Sequence, residues 1–143
     1  MSTTPSAGSI VLLTRLSRVV YRRATEEVLG MRLKAYVTLS NLRDGPMAQQ
    51  ELCVSMHLDP NNCVLMLNDL EDLGYVERRR DPADRRRHIV EMTPAGHKAM
   101  LRAERAMESL EEDVLGALAP EERDVLRGLL GRAIAGEPAI QSA

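Results

Sequence analysis

Two arginine triplets, Arg78-Arg79-Arg80 and Arg85-Arg86-Arg87, flank the turn sequence Asp81-Pro82-Ala83-Asp84. Before them runs Gly74-Tyr75-Val76, and after them the strand-like His88-Ile89-Val90-Glu91-Met92. This pattern predicts a β-hairpin with a cationic tip, set directly behind a helix that stops at Gly74. Arginines on a protruding hairpin suit the narrow, negatively charged minor groove of duplex DNA. Residues 77–88 hold six Arg against Glu77, Asp81 and Asp84, a local charge of +3 that leaves −5 on the remainder of a chain whose total is −2. Attraction to phosphate is therefore focused on one loop, with a repulsive body behind it.

In front of the hairpin, Asp59-Pro60 supplies an N-cap followed by Pro at the first helical position, which predicts a helix running to about Leu73. At 100° per residue, Cys63, Met66, Leu67, Leu70 and Leu73 form its core side. Asn61, Leu65, Asn68 and Asp72 lie opposite, with Val64 on the flank. A shorter helix over 48–56 precedes it, burying Leu52 and Met56 and stopping at His57, a residue that tolerates left-handed backbone. Two short helices, a tight turn and a hairpin make a winged helix-turn-helix, whose second helix enters a major groove. Asn pairs bidentately with adenine and apolar side chains touch the thymine methyl, so Asn61, Val64, Leu65 and Asn68 point to an A·T-leaning half-site.

The remaining elements are helical. Leu12, Leu13, Leu16, Val19, Val20, Ala24 and Val28 at 3-4 spacing predict one helix over 9–29, with Gly30 as its stop. A second covers about 32–43. Thr93-Pro94 opens a long helix over 94–118, and Ala119-Pro120-Glu121-Glu122 opens the last, which Gly136 and Pro138 end. The fold class is mainly α with a small β-hairpin wing. Residues 1–8 are expected to form a disordered tail.

Composition narrows the function. Aromatic residues are 2% of the 143, namely Tyr21, Tyr36 and Tyr75, with no Phe or Trp. Stacking platforms for single-stranded nucleic acid are thereby excluded, and a nucleic-acid partner must be a duplex. His57, His88 and His97 are scattered over a turn, a strand and a helix start, so no metal set, cofactor site or catalytic constellation is read, and the chain is not expected to be an enzyme. No apolar run reaches the length of a membrane span. Two cysteines without a secretory signal predict separate reduced thiols, buried as small hydrophobes, in a cytoplasmic protein.

From Leu29 to Gly96 the chain resembles the MarR family of bacterial transcription regulators. Gln50-Glu51-Leu52 with Leu58-Asp59-Pro60 is similar to the family's second helix and turn, and Leu70-Glu71-Asp72-Leu73-Gly74-Tyr75-Val76-Glu77-Arg78 to its "LExxGLVxR" passage. Asp81-Pro82-Ala83-Asp84-Arg85-Arg86 looks like its wing signature, and Met92-Thr93-Pro94-Ala95-Gly96 like its "LTxxG" start of the long helix. The resemblance implies a ligand-responsive repressor that binds a pseudo-palindromic operator as a homodimer. Residues 9–30 and 94–136 would form the dimerisation helices, and 31–93 the DNA-binding lobe. It further implies base reading by Asn61, Asn62, Val64, Leu65 and Asn68, minor-groove insertion of Arg86 between Arg85 and Arg87, and a bracing role for Asp84. Family members commonly carry Arg where this chain has Leu65, which favours the A·T preference. A crevice for phenolic or other aromatic acids is implied between the dimerisation helices and the DNA-binding lobe, with Arg15, Arg18, Tyr36 and His97 placed by position to line it.

Two other readings follow from single features. Exposed Val64-Leu65 beside an acidic body would suit a winged-helix module that docks protein. Cys53 and Cys63 would suit a thiol-based redox-sensing regulator, although relatives that sense oxidants carry the reactive Cys in the first helix, where this chain has none.

Overall fold

The computed structural model describes residues 8–137. The expected tail lies, apart from Gly8, outside them. The elements run α1 (Ser9–Arg23), α2 (Glu26–Leu29), α3 (Leu33–Asn41), β1 (Met47–Ala48), α4 (Gln49–Ser55), α5 (Pro60–Asp72), β2 (Val76–Arg80), β3 (His88–Met92), α6 (Pro94–Val114) and α7 (Pro120–Ala135).

Local chemistry explains the boundaries. The Asp59 carboxylate accepts the Asn62 amide at 2.9 Å and caps α5, with Pro60 at its first position. Thr93 does the same for α6, accepting from Gly96 N at 3.0 Å while its hydroxyl donates to the Gly74 carbonyl at 2.6 Å. That second bond ties the start of α6 to the turn behind α5. His57 sits at φ 55°, the left-handed stop that its type suggested. The cost is accepted because the chain must reverse between α4 and α5.

Four expectations are corrected. The helix predicted over 9–29 is broken at Ala24, because the Thr25 side chain accepts from Val28 N and starts α2 afresh. The hairpin gains a third strand: β1 pairs with β3 (Met47↔Val90, Ala48↔Ile89), giving the order β1-β3-β2. A two-residue strand offers too short a period to be read from sequence. Leu73, assigned to the core side of α5, is 57% exposed because it falls at the C-cap, where the chain is already turning. The helix expected to reach 118 ends at Val114, and Leu115 leaves helical geometry at φ −105°, ψ 21°.

Leu29, Leu39, Leu52, Leu67, Leu70, Val90 and Ala103 are completely buried and join α2–α5, the sheet and α6 into one core. Cys63, Met66, Leu67 and Leu70 contribute the inward face of α5, as the wheel required. α1 and α7 bury no residue in the single chain. Ile10, Val11 and Leu13 on α1, and Val125, Leu129 and Ile134 on α7, remain exposed. No helix among the described residues is long and apolar enough to cross a membrane.

Candidate nucleic-acid interface

The interface is built by α5 and the wing. Asn61, Asn62, Val64, Leu65 and Asn68 are all exposed along one side of α5. Val64, Arg86, Arg87 and His88 line one cleft of about 560 Å³, together with Gln49, Gln50, Cys53 and Val54 of α4. Of the sequence-predicted DNA-reading residues, Val64, Arg86 and Arg87 share this cleft, whereas Asn61, Asn62, Leu65, Asn68 and Arg85 are outside its lining.

The wing loop is held by its own backbone and by aspartates. Asp81 N donates to the Arg87 carbonyl and Arg87 N to the Asp84 carbonyl, both at 2.9 Å. The Asp81 carboxylate accepts Ala83 N at 2.9 Å, and the Asp84 carboxylate accepts Arg86 N at 3.1 Å. Asp84 therefore shapes the turn that carries Arg86, whose side chain is 92% exposed and meets Asp84 only at 3.4 Å.

The six arginines differ sharply. Arg80 donates to the Arg85 carbonyl at 2.6 Å and closes the wing from inside. Arg79 pairs with Glu91 at 3.2 Å and Arg87 with Glu51 at 3.5 Å. Among the described residues Arg85 has no acidic partner, so Arg85 and Arg86 carry the free charge of the tip.

Arg78 is the residue that sequence reasoning missed. The register Val76↔Met92, Arg78↔Val90 puts it on the same sheet face as buried Val76 and Val90. Its side chain, 18% exposed, donates to Glu71 Oε1 at 2.9 Å and Asn68 Oδ1 at 2.6 Å, and its amide to Glu71 Oε2 at 3.2 Å. The signal was available: in a strand, a residue two beyond an inward Val also points inward. Asn68 thus has its carbonyl engaged within the protein. The Asn62 side-chain amide is likewise engaged, donating to Asp59 at 2.6 Å. Asn61, Val64 and Leu65 have no side-chain hydrogen-bond partner among the described residues.

The Arg78 hydrogen bond holds the Glu71 carboxyl below its ordinary value of 4.5, against an opposing effect of desolvation. A depressed carboxylate stabilises the fold above its unfolded pKa, and that contribution fades as the pH falls through the folded value. Glu71→Gln is expected to lower stability at pH 7 by less than about 1 kcal/mol, because the Glu71 carboxylate is open to solvent and water screens the pair. The gap should narrow as the pH falls from 4.5 through the lowered folded value, and denaturant titrations over a descending pH series check it. A gap independent of pH would assign the effect to packing rather than charge.

The four residues placed by resemblance in an effector crevice sit on three helices. Arg15 and Arg18 on α1 and His97 in the first turn of α6 are exposed, and Tyr36 on α3 is half-buried. Burial, then the nearby Glu104 carboxylate, raises the Tyr36 pKa, while Arg43 opposes them. Arg43 forms an ion pair with Glu104. No hydrogen bond or ion pair joins the four among the described residues, and none of them lines either the cleft above or a second cavity of about 450 Å³ between α2, α3 and α5. No cluster of three or more metal-ligating side chains occurs among the described residues.

The expectation of two separate reduced thiols is corrected. Cys53 of α4 and Cys63 of α5 are joined in a disulfide with their Cα atoms 5.7 Å apart. Both are on core-facing positions of adjacent helices, and the turn at His57 folds those helices together. Sequence places each thiol inward, but only the crossing of the helices makes them neighbours.

Residues 29–87 match the sequence profile described as the MarR family, a span covering α3 to the wing tip. A putative transcriptional regulatory protein for the hcr operon of Thauera aromatica is 34% identical over 126 residues, 87% of this chain and 73% of that protein. The chain belongs to the MarR family. It is a MarR-family transcriptional regulator, and its relatives are DNA-binding regulators rather than enzymes. Two solved MarR-type structures share its fold. A mutant of Escherichia coli MarR complexed with operator DNA superposes with a TM-score of 0.75 at 22% identity, over 86% of this chain and 91% of that one. Bordetella bronchiseptica BpsR, whose DNA binding is regulated by 6-hydroxynicotinic acid, gives 0.80 at 22% identity, over 96% and 100%. In this MarR-family chain the exposed α5 face and the wing therefore occupy a winged helix-turn-helix, as the resemblance implied.

Proposed function

We propose that this regulator is a homodimeric, ligand-responsive repressor that works in the cytoplasm on a pseudo-palindromic operator. The observation that carries this reading is the shared cleft: Val64 of α5 and Arg86 of the wing both line it. Asn61, Val64 and Leu65 enter a major groove and favour A·T pairs there, while Arg86 enters the flanking minor groove between Arg85 and Arg87. Asn62 stays near the backbone through its bond to Asp59, and Asn68 is oriented by Arg78. Half-sites lie about one helical turn, ~10 bp, apart.

Dimerisation is supported by the exposed apolar stripes of α1 and α7, which an isolated soluble chain has no reason to leave in water. The dimer is formed by residues 9–30 and 94–136 and carries two lobes over 31–93. An aromatic acid, the class named for BpsR, binds where these units meet, with Arg15, Arg18, Tyr36 and His97 as candidate contacts. A ligand that favours one lobe separation shifts the dimer away from the spacing that fits DNA.

Fluorescence anisotropy against the chain's own upstream DNA and a scrambled duplex, over a salt series, tests the reading. Tight binding to the first, with a steep salt slope and a two-protomer stoichiometry, is expected. Equal, weak binding to both duplexes would overturn it.

A further inference from the structure

We propose that Arg78 is a positioning residue for base recognition: by holding the Asn68 carbonyl it leaves only the amide NH2 to face DNA, so Asn68 selects a keto base, guanine above thymine, and disfavours adenine. This role rests on the function proposed above, in which the exposed side of α5 enters a major groove. It departs from the adenine contact that the residue type alone suggests.

An Asn side chain reads adenine through both of its ends, the NH2 donating to N7 while the carbonyl accepts from the N6 amino group. In Asn68 the second end is taken. Arg78 Nη2 donates to Asn68 Oδ1 at 2.6 Å. Chemistry fixes the orientation of the amide: a guanidinium carries donors only, so the atom that meets it must be the oxygen. Glu71 keeps Arg78 from turning away. Its Oε1 accepts from the same Nη2 at 2.9 Å, and its Oε2 accepts from the Arg78 backbone amide at 3.2 Å. The Arg78 side chain is mostly buried, and a charge-assisted bond in that setting is a strong one. The oxygen keeps a second lone pair, but a base amino group approaching it would meet the guanidinium charge at close range. A keto oxygen is drawn by that same charge.

Asn68 itself is exposed, and its nitrogen has no acceptor among the described residues. Both N–H groups are therefore free for the groove. Guanine offers them two neighbouring acceptors, O6 and N7, whereas thymine offers O4 beside a methyl group. Asn61, Leu65 and Asn68 share one stripe of α5, at i, i+4 and i+7. Asn61 has no side-chain partner among the described residues and keeps both of its ends for adenine. Seven residues of helix rise about 10 Å, which along the groove is about three base pairs. Each half-site should therefore hold an adenine read by Asn61 and, about three base pairs away, a guanine read by Asn68.

The test selects binding sequences from a random duplex library with the full chain and with single variants, each melted beforehand to establish that it is folded. In the native chain the position read by Asn68 should favour guanine over adenine by roughly 10-fold. Asn68→Ala should flatten that position alone. Asn68→Asp presents acceptors only and should turn it towards cytosine. Arg78→Met frees the Asn68 carbonyl, so adenine should be accepted there, while Arg78→Lys, which keeps a cationic donor, should hold the preference for guanine. If Arg78→Met does not fold, Glu71→Gln loosens the same clamp at small cost and should lose part of the preference. An adenine at the position that Asn68→Ala flattens would overturn the keto reading. Weaker binding to every sequence by Arg78→Met and Glu71→Gln, with that position unchanged, would make Arg78 merely structural and overturn its role. An enriched operator that Asn68→Ala leaves unaltered at every position would overturn the contact while leaving the operator-binding function intact. No enriched sequence from the native chain would overturn that function, and the Asn68 contact with it.

Discussion

Gly96→Ala is expected to destabilise the fold by about 1–3 kcal/mol, the usual cost of forcing an extra carbon into a packed site. By helix propensity alone the change would be favourable by about 1 kcal/mol. The sign is reversed by a neighbour: a Cβ on Gly96 would overlap the carbonyl oxygen of Tyr75, with the Tyr75 carbonyl carbon at 2.9 Å and Cα at 3.0 Å. The obstacle is backbone, so no rotamer change relieves it. The same carbonyl accepts Thr93 N at 3.0 Å, and Thr93 in turn caps α6 through Gly96 N. Moving α6 outward therefore stretches the junction that joins the long helix to the wing. Urea titration followed by circular dichroism would measure the loss, and equal stability of the two proteins would show that α6 slides without cost.

Arg86→Ala should weaken operator binding by roughly 10-fold and reduce the salt slope by about one unit, while leaving stability within about 0.5 kcal/mol. The side chain is almost fully exposed and its contact with Asp84 is long, so little native energy depends on it. The companion variant separates charge from shape. Asp84→Ala makes the wing more positive, and if charge alone mattered it would tighten binding. Asp84 also accepts the Arg86 amide at 3.1 Å, so its loss lets the loop deform. Weaker binding by Asp84→Ala is therefore expected, from anisotropy at matched salt. Tighter binding would mean that the wing acts as a diffuse cationic patch.

These two positions differ in how well the sequence exposed them. Asp84 and Arg86 are legible because an Asx turn is local: a carboxylate two residues before an amide can cap it whatever the rest of the chain does. Gly96 is quoted by the family motif, but its physical reason is not, since the Tyr75 carbonyl arrives from 21 positions away. Arg78 belongs to the same class. Counted with the wing arginines it reads as a DNA contact, whereas the strand register turns it inward to Glu71 and Asn68.

The sequence by itself determined the helix starts at Asp59-Pro60 and Thr93-Pro94, the stops at Gly30 and His57, the inward face of α5 and the cationic hairpin. Each depends on residues within a turn or two of one another, where propensity, capping and period act without tertiary help. Only the tertiary structure decided the third strand, the inward turn of Arg78, and the bond between Cys53 and Cys63. Each of these is a meeting of separate elements, and periodicity states which way a side chain points but not what waits there. The apolar stripes of α1 and α7 mark the same boundary from the other side: their pattern is plain in the sequence, and the single folded chain leaves them uncovered.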